Sequence, residues 1–293
     1  MIYRAGLGGL VVVEPPVVSP ATLSEAYELM AGGGYRPLAG GTDLMVQLEA
    51  DVVEPPTAVL DLWHIDELRG VSTDGYDVLI GALTTYTQLR HSPVISARLP
   101  ALAHAAATIG AAQIQNRGTI GGNVCNASPA GDSLPVLLAV DATFDLGSVH
   151  GIRSVPARSF WTGYRQTALR ENELLVRVRF PVERSRRTRF RKVGTRAAQA
   201  ISKVVLALSY RDDEGTWRDV RLALGSVAPT PIRARATETV LEGMRPQEPV
   251  ADAAAATLAD EIAPIDDVRS TADYRRSVSA RVLHRLLREE GGW

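Results

Sequence analysis

At 293 residues, with 22% charged side chains and a net charge of −1, the chain is long enough for two domains with their own cores, and its balanced charge offers no basic face to nucleic acid or a membrane surface. The single cysteine, Cys125, excludes an internal disulfide and, in practice, a cysteine-ligated zinc or iron–sulfur site; it reads as a small buried hydrophobe. The histidines at 64, 91, 104, 150 and 284 show no metal-ligand spacing, no apolar run reaches the length of a membrane span, and Met1-Ile2-Tyr3-Arg4-Ala5 lacks the plan of a signal peptide, so the cytoplasm is the expected compartment.

Gly6-Leu7-Gly8-Gly9 has the glycines of a dinucleotide fingerprint but not its context, because Leu10-Val11-Val12-Val13 after it is strand-like rather than helical. The first helix is predicted to begin near Thr22. Thr22 and Glu25 have capping-box spacing, Leu23, Ala26, Tyr27 and Met30 share a face, and Gly32-Gly33-Gly34 ends the helix. A short strand over 35–39 runs into Leu38-Ala39-Gly40-Gly41-Thr42-Asp43, ahead of a helix at Leu44-Met45-Val46-Gln47-Leu48. Strand, glycine loop and helix in that order can aim backbone N–H groups at a phosphate. Pro55-Pro56 breaks the chain. Strands follow over 58–62 and 78–82 about an Asp74-Gly75 turn, and Thr84-Thr85-Tyr86-Thr87 and Ser92-Pro93 punctuate short helices. One alanine-rich helix is predicted over 99–113, with Leu102, Ala105, Ala106 and Ile109 on its packed side and His104 off it.

That helix delivers the chain to residues 116–133, a stretch crowded with small residues, amides and hydroxyls and without a helical period. Within it, Thr119-Ile120-Gly121-Gly122-Asn123 reads as a second loop able to bring bare backbone N–H groups to an anion. Each glycine loop alone also reads as a tight turn; together they can close on one pyrophosphate from opposite sides. Asp132-Ser133-Leu134-Pro135 opens the next helix, and Asp132 suits an N-cap as well as a ligand contact. Strand structure follows over 143–149, Ser154-Val155-Pro156 leads to Phe160-Trp161-Thr162-Gly163, and the 173–181 segment alternates so that Leu174, Val176, Val178 and Phe180 face one way. Pro181 marks the expected end of a first domain over 1–181, with subdomains over about 1–57 and 58–181. The second domain, 182–293, opens on an arginine-rich crossing at 184–191. This cluster, like Arg275-Arg276, reads as a solvated face or a subunit contact. Strands over 204–210 and 220–227 flank a turn at 212–215, and helices over about 233–242, 250–262 and 272–290 close the chain. A meander followed by helices gives the fold class α+β.

Ala39-Gly40-Gly41-Thr42-Asp43 and Thr119-Ile120-Gly121-Gly122-Asn123, followed by Ala127-Ser128-Pro129 and Asp132, resemble the FAD-binding medium subunit of the molybdenum hydroxylases. That family includes xanthine dehydrogenase, aldehyde oxidoreductase and carbon monoxide dehydrogenase. The resemblance runs from about residue 22 to about residue 287. It implies a two-subdomain FAD-binding domain of the PCMH, vanillyl-alcohol-oxidase-like type and a small sheet-plus-helices C-terminal domain. It also implies non-covalent FAD between the halves of the first domain. Leu38, Ala39, Gly40, Gly41, Thr42 and Asp43 would hold the pyrophosphate from one side and Thr119, Ile120, Gly121, Gly122 and Asn123 from the other. Backbone N–H groups would do so with polar help from Thr42, Thr119 and Asn123. Asp132 matches an aspartate at the ribose or pyrophosphate, and Ile109 and Leu175 match positions lining the flavin and adenine ends. Lys192, in a run with Arg196, Ile201, Lys203 and Val204, resembles a lysine that approaches the isoalloxazine. A cation there would stabilise the reduced flavin and raise its potential, which makes Lys192 the candidate catalytic residue. On its own terms it reads as a solvated lysine. Where the family often has an aspartate just before the position of Ile201, this chain has Ala200, which leaves Lys203 without that charge partner.

Gly-x-Ser-x-Gly, His-Glu-x-x-His and Walker A motifs are all absent, as fits a protein whose chemistry lies in a bound cofactor. The resemblance implies an electron relay. A molybdopterin-binding large subunit would hydroxylate the substrate, a small subunit with [2Fe–2S] clusters would pass electrons to FAD on this chain, and NAD+ or a quinone would receive them. A dimer of heterotrimers is the implied assembly. The alternatives are a free-standing flavin reductase or oxidase of the same fold and a non-enzymatic binding module. Covalent flavin attachment is disfavoured, because Arg36-Pro37-Leu38-Ala39-Gly40-Gly41 offers no histidine.

Overall fold

The computed structural model describes residues 15–49, 56–183, 185–196 and 199–293. The Gly6–Gly9 segment, the strand expected after it, and Pro55 lie outside the described residues. The chain is an α+β protein with three main sheets and a short hairpin. The first sheet is parallel, in the order β1 (Val17–Val18), β3 (Ala58–Asp61), β2 (Tyr35–Leu38). Between β1 and β2 runs α1 (Leu23–Gly32). Thr22 caps it by accepting the Glu25 N–H, and Glu25 reaches back to the N–H of Ala21 rather than to the cap itself. After β2 come the first glycine loop and α2 (Leu44–Glu49). The expected subdomain division at residue 57 needs correction. It would separate β3 from β1 and β2, although β3 is the middle strand and bonds to both. The prolines break the chain before β3 but do not end the sheet.

The second sheet is antiparallel. Its order is β4 (Val71–Thr73), β5 (Asp77–Gly81), β10 (Leu174–Pro181), β6 (Thr143–Ser148), β7 (Gly151–Pro156). Six helices lie between β5 and β6: α3 (Tyr86–His91), α4 (Pro93–Arg98), α5 (Pro100–Thr108), α6 (Ala112–Arg117), α7 (Ile120–Asn126) and α8 (Ser133–Ala139). The hairpin β8 (Trp161–Gly163) and β9 (Gln166–Thr167) precedes β10. Two expectations change here. The single helix predicted over 99–113 is α5 and α6, broken at Ile109-Gly110; Gly110 takes φ +58 and sits tightly over the Ile114 side chain, a backbone that glycine permits. The even alternation of 173–181 is also interrupted. A register shift between Leu175 and Arg177 sends Leu174 and Val176 into the core beneath α1, and Leu175, Val178 and Phe180 into the core beneath the helices.

The C-terminal sheet is β11 (Arg186–Val193), β12 (Val204–Asp213), β13 (Thr216–Gly225) and β14 (Ile232–Arg233), all antiparallel. Helices α9 (Arg235–Leu241), α10 (Glu248–Glu261) and α11 (Ala272–Gly291) follow. Alternation along β12 decides what each face covers. Leu206, Leu208 and Tyr210 pack with Leu283, Leu286 and Leu287 of α11, whereas Val205 and Ala207 join the core of the first domain. Helices α5 and α8 rest on this sheet. The arginine-rich crossing is therefore strand β11, and its side chains are paired rather than simply solvated. Arg186 bonds Asp219, Arg189 bonds Glu290, and Arg191 bonds Glu289. Arg275 is likewise buried, donating to the carbonyls of Ser226 and Lys203 and to Asp267, while Arg276 stays outside beside Asp273. This packing places β11 against α5, the helix that ends at Thr108.

Candidate functional site

The first glycine loop leaves the end of β2, where Leu38 accepts from Leu62, and turns into α2. Gly41 has φ +78, a conformation that side chains resist. The carbonyls of Gly41 and Asp43 accept from Met45 and Gln47 of α2. The N–H groups of Gly40, Gly41 and Thr42 make no hydrogen bond among the described residues. Such groups ordinarily find a partner in protein, water or ligand. Gly40 is pressed onto the second motif: a Cβ there would lie 1.9 Å from the Arg117 carbonyl oxygen and 3.1 Å from Gly118 Cα. Ala39 faces Gly122. The two glycine motifs therefore meet, although 76 residues separate Thr42 from Gly118.

The second motif is not a loop. Thr119 is the N-cap of α7, and the Gly-Gly pair forms its first turn. The N–H groups expected to face an anion are engaged inside the fold. Ile120 donates to the Thr84 carbonyl, Gly121 to the Ala82 carbonyl, Gly122 to Thr119 Oγ1 and Asn123 to the Thr119 carbonyl, at 2.9–3.1 Å. Anion binding through these four N–H groups is thus corrected. The glycines serve close packing instead, since a Cβ on Gly121 would lie 2.7 Å from Ala82. What remains outward-directed here is side-chain chemistry, chiefly that of Asn123, whose Oδ1 accepts from Ser133 Oγ at 2.6 Å. Asn126 at the end of α7 accepts from Gln47 of α2 and from Arg165 of the β8–β9 turn, tying the rim to the first loop. Thr42 is half-buried beside it and Asp43 is exposed.

Asp132 and Lys192 form one feature. The Lys192 ammonium donates to Asp132 Oδ2 at 2.6 Å and to the Thr108 carbonyl at 3.1 Å, and Ser202 donates to Asp132 Oδ1. Both charged side chains are buried, Lys192 to 10% exposure and Asp132 to 7%. Burial pushes the Asp132 carboxyl up, against the pull of the Lys192 charge and of the Lys192 and Ser202 hydrogen bonds. The reading of Lys192 as a solvated lysine is overturned. Asp132 does take the N-cap position of α8, but its side chain makes no cap bond there and is committed to Lys192 and Ser202 instead. The separate places expected for these residues, one near the pyrophosphate and one near the isoalloxazine, become a single ion pair. Ile109 follows Thr108 directly and is half-buried there. Leu175 is a core residue at 6% exposure, in the sheet that α7 packs upon. Sequence reasoning missed Ser202, Ser133 and the Thr108 carbonyl. It also missed Trp63, whose ring carries Arg117 at 3.7 Å and Arg69 at 4.4 Å beside the first loop. Lys203, short of its aspartate, lies 4.7 Å over the Tyr274 ring.

Residues 12–183 match the family model of the FAD-binding domain in molybdopterin dehydrogenase, and residues 189–290 match that of the carbon monoxide dehydrogenase flavoprotein C-terminal domain. The chain belongs to the FAD-binding medium subunits of the molybdenum hydroxylases. Among its relatives is the glyceraldehyde dehydrogenase medium chain of Sulfolobus acidocaldarius, 36% identical over 93% of this chain and 96% of that one. Its fold matches a chain of the carbon monoxide dehydrogenase of Hydrogenophaga pseudoflava, with a TM-score of 0.89, 33% identity, and 94% and 96% of the two chains covered. A chain of quinoline 2-oxidoreductase from Pseudomonas putida 86 matches with a TM-score of 0.90 at 26% identity, covering 96% and 98%. The site fits the cofactor of this family. The uncommitted N–H groups of Gly40, Gly41 and Thr42 suit pyrophosphate oxygens, and only a residue without a Cβ lets that loop rest on residues 117 and 118. Among the described residues, no cluster of histidine, cysteine or acidic side chains could hold a metal ion. FAD, when bound, supplies the capacity to take up and release electrons singly or in pairs.

Proposed function

We propose that this FAD-binding subunit carries electrons inside a molybdenum hydroxylase complex. It would receive them from [2Fe–2S] clusters of a small subunit, after a molybdopterin-binding large subunit has oxidised the substrate, and deliver them to NAD+ or a quinone. The observation that carries the proposal is the row of uncommitted N–H groups at Gly40–Thr42 lying against the start of α7. In this reading Leu38 to Asp43 cradle the pyrophosphate. Thr119 and Asn123 add polar contacts, Ile120, Gly121 and Gly122 form the floor, and Ile109 and Leu175 contribute apolar surface. Asp132 and Lys192 act as a charged pair joining the two domains beside the cofactor. The chain's only cysteine is Cys125, so clusters would have to reside on partners. The medium-chain names of the relatives support a complex of several chains, and a large subunit acting on an aldehyde, carbon monoxide, xanthine or another N-heterocycle is in keeping with those names. A cytoplasmic dimer of heterotrimers is the proposed assembly. Among the described residues, no helix is long and apolar enough to cross a membrane.

Purification from the native source under mild conditions tests this reading. The expected result is FAD released intact by acid, iron–sulfur absorbance, and two further chains in fixed ratio. Anaerobic substrate should bleach the flavin, and NAD+ or a quinone should restore its colour. FAD on a lone chain would replace the relay with a free-standing flavin enzyme, and a native protein without flavin would remove both.

A further inference from the structure

Arg275 stands in the first turn of α11 and is 4% exposed. A cation is disfavoured at a helix N-terminus and costly when buried, and Arg275 Nε has no partner among the described residues. Stability of the helix therefore does not explain the residue. Its other two nitrogens are committed. Nη1 donates to the Ser226 carbonyl at 2.6 Å and to the Lys203 carbonyl at 3.4 Å, and Nη2 donates to Asp267 Oδ1 at 2.7 Å. Lys203 immediately precedes β12 and Ser226 immediately follows β13, so one guanidinium ties the start of one strand to the end of its neighbour.

Both tied residues lead to Asp132. Ser226 holds φ +66, a backbone that side chains resist, and its N–H donates at 2.8 Å to the carbonyl of Pro129, three residues before Asp132. The approach there is close, since a Cβ on Gly225 would lie 3.3 Å from that same oxygen. Lys203 adjoins Ser202, whose hydroxyl donates to Asp132 Oδ1. The Lys203 N–H donates at 2.8 Å to the carbonyl of Val193, next to Lys192. The ion pair is thus braced from behind on both of its sides. Leu283, Leu286 and Leu287 also join α11 to this sheet, but they fill space and fix no carbonyl. We infer that Arg275 is a positioning residue of the FAD site: it fixes the Ser226 and Lys203 carbonyls, and through the loop at Pro129 and the Ser202 hydroxyl it holds Asp132 against Lys192. The inference rests on the reading of that pair as lying beside the cofactor.

The test measures FAD affinity and FAD-free thermal stability of the full chain. Arg275→Ala would strand Asp267, so the informative variant is Arg275→Lys. It keeps a charge beside Asp267, but a point cation cannot span two carbonyls and a carboxylate as the planar fork does. Arg275→Lys should raise the Kd for FAD about tenfold, the equivalent of one charge-assisted hydrogen bond. Leu286→Ala hollows the core between α11 and β12; it should lower stability at least as much and leave the Kd unchanged. In Asp132→Ala, itself weakened, Arg275→Lys should change the Kd no further, because no carboxylate remains to be placed. Three results would overturn the inference while leaving FAD binding intact: an unchanged Kd in Arg275→Lys where Asp132→Ala binds more weakly, equal losses with and without Asp132, or a like loss in Leu286→Ala. An unchanged Kd in Asp132→Ala, or a wild-type chain that bound no FAD, would instead overturn the parent reading, and this inference with it.

Discussion

Lys192→Ala is expected to destabilise the chain by about 3–5 kcal/mol at neutral pH, because it removes one partner of a buried ion pair and strands the other. Asp132 would keep Ser202 as a donor but lose the cation 2.6 Å away. The pH dependence follows from the direction of its shift. Burial already holds the Asp132 carboxyl above its ordinary 3.8 with Lys192 in place. A carboxyl raised in the folded state binds its proton more tightly there than in the unfolded chain. Its contribution is therefore favourable at pH below 3.8 and is lost as pH rises through the folded value. Without Lys192 the folded value climbs further, so the deficit of the variant should be smallest in acid and grow toward neutral pH. Urea unfolding at a series of pH values measures this, and a deficit independent of pH would refute the stranded-charge account. Lys192→Ala combined with Asp132→Asn should recover part of the loss, since no bare charge is then buried. The flavin midpoint potential of the purified holoprotein separates two roles. A lowered potential or slowed flavin reduction assigns Lys192 to electron transfer; if neither changes, it is a clasp between domains.

What could be read in the sequence was local. Thr22 and Glu25 announce α1 because capping is decided within four residues, and Leu38 to Asp43 announce the first loop because a strand end, two glycines and a helix start adjoin. Thr119 to Asn123 misled because Gly-Gly-Asn has little intrinsic preference for a helix. The turn is imposed by the carbonyls of Ala82 and Thr84, almost forty residues upstream, which take the N–H groups of Gly121 and Ile120. Asp132 and Lys192 were each singled out, but their pairing is a product of β11 packing on α5, and a separation of 60 residues leaves no periodic trace. Ser202 sits between residues that drew attention for other reasons, and a lone serine carries no signal until Asp132 faces it. The resemblance supplied the family from motifs whose local conformation it did not supply.

Gly40→Ala is expected to lower FAD affinity about 100-fold, if two charge-assisted hydrogen bonds of about 1.5 kcal/mol each are lost from the displaced loop. The new methyl would sit 1.9 Å from the Arg117 carbonyl oxygen and 2.7 Å from its carbon. Both neighbours are backbone, held by the bond from the Gly118 N–H to the Ile114 carbonyl, so no side chain can swing aside. The loops must part, costing the FAD-free chain about 1–3 kcal/mol as overpacking does elsewhere. Gly122→Ala is the control that identifies the cause. Its Cβ would meet only the Thr119 hydroxyl at 3.0 Å and the Ala39 methyl at 4.0 Å, and alanine favours the helix there. Its FAD-free stability should be unchanged or higher. Gly40 has no unusual backbone angle to maintain, unlike Gly41 at φ +78, so the requirement at residue 40 is for space. Isothermal titration of both variants with FAD decides the matter. If Gly40→Ala binds as tightly as wild type, contact between the two glycine motifs does not build the cradle, and the uncommitted N–H groups of Gly40, Gly41 and Thr42 are not what holds the pyrophosphate.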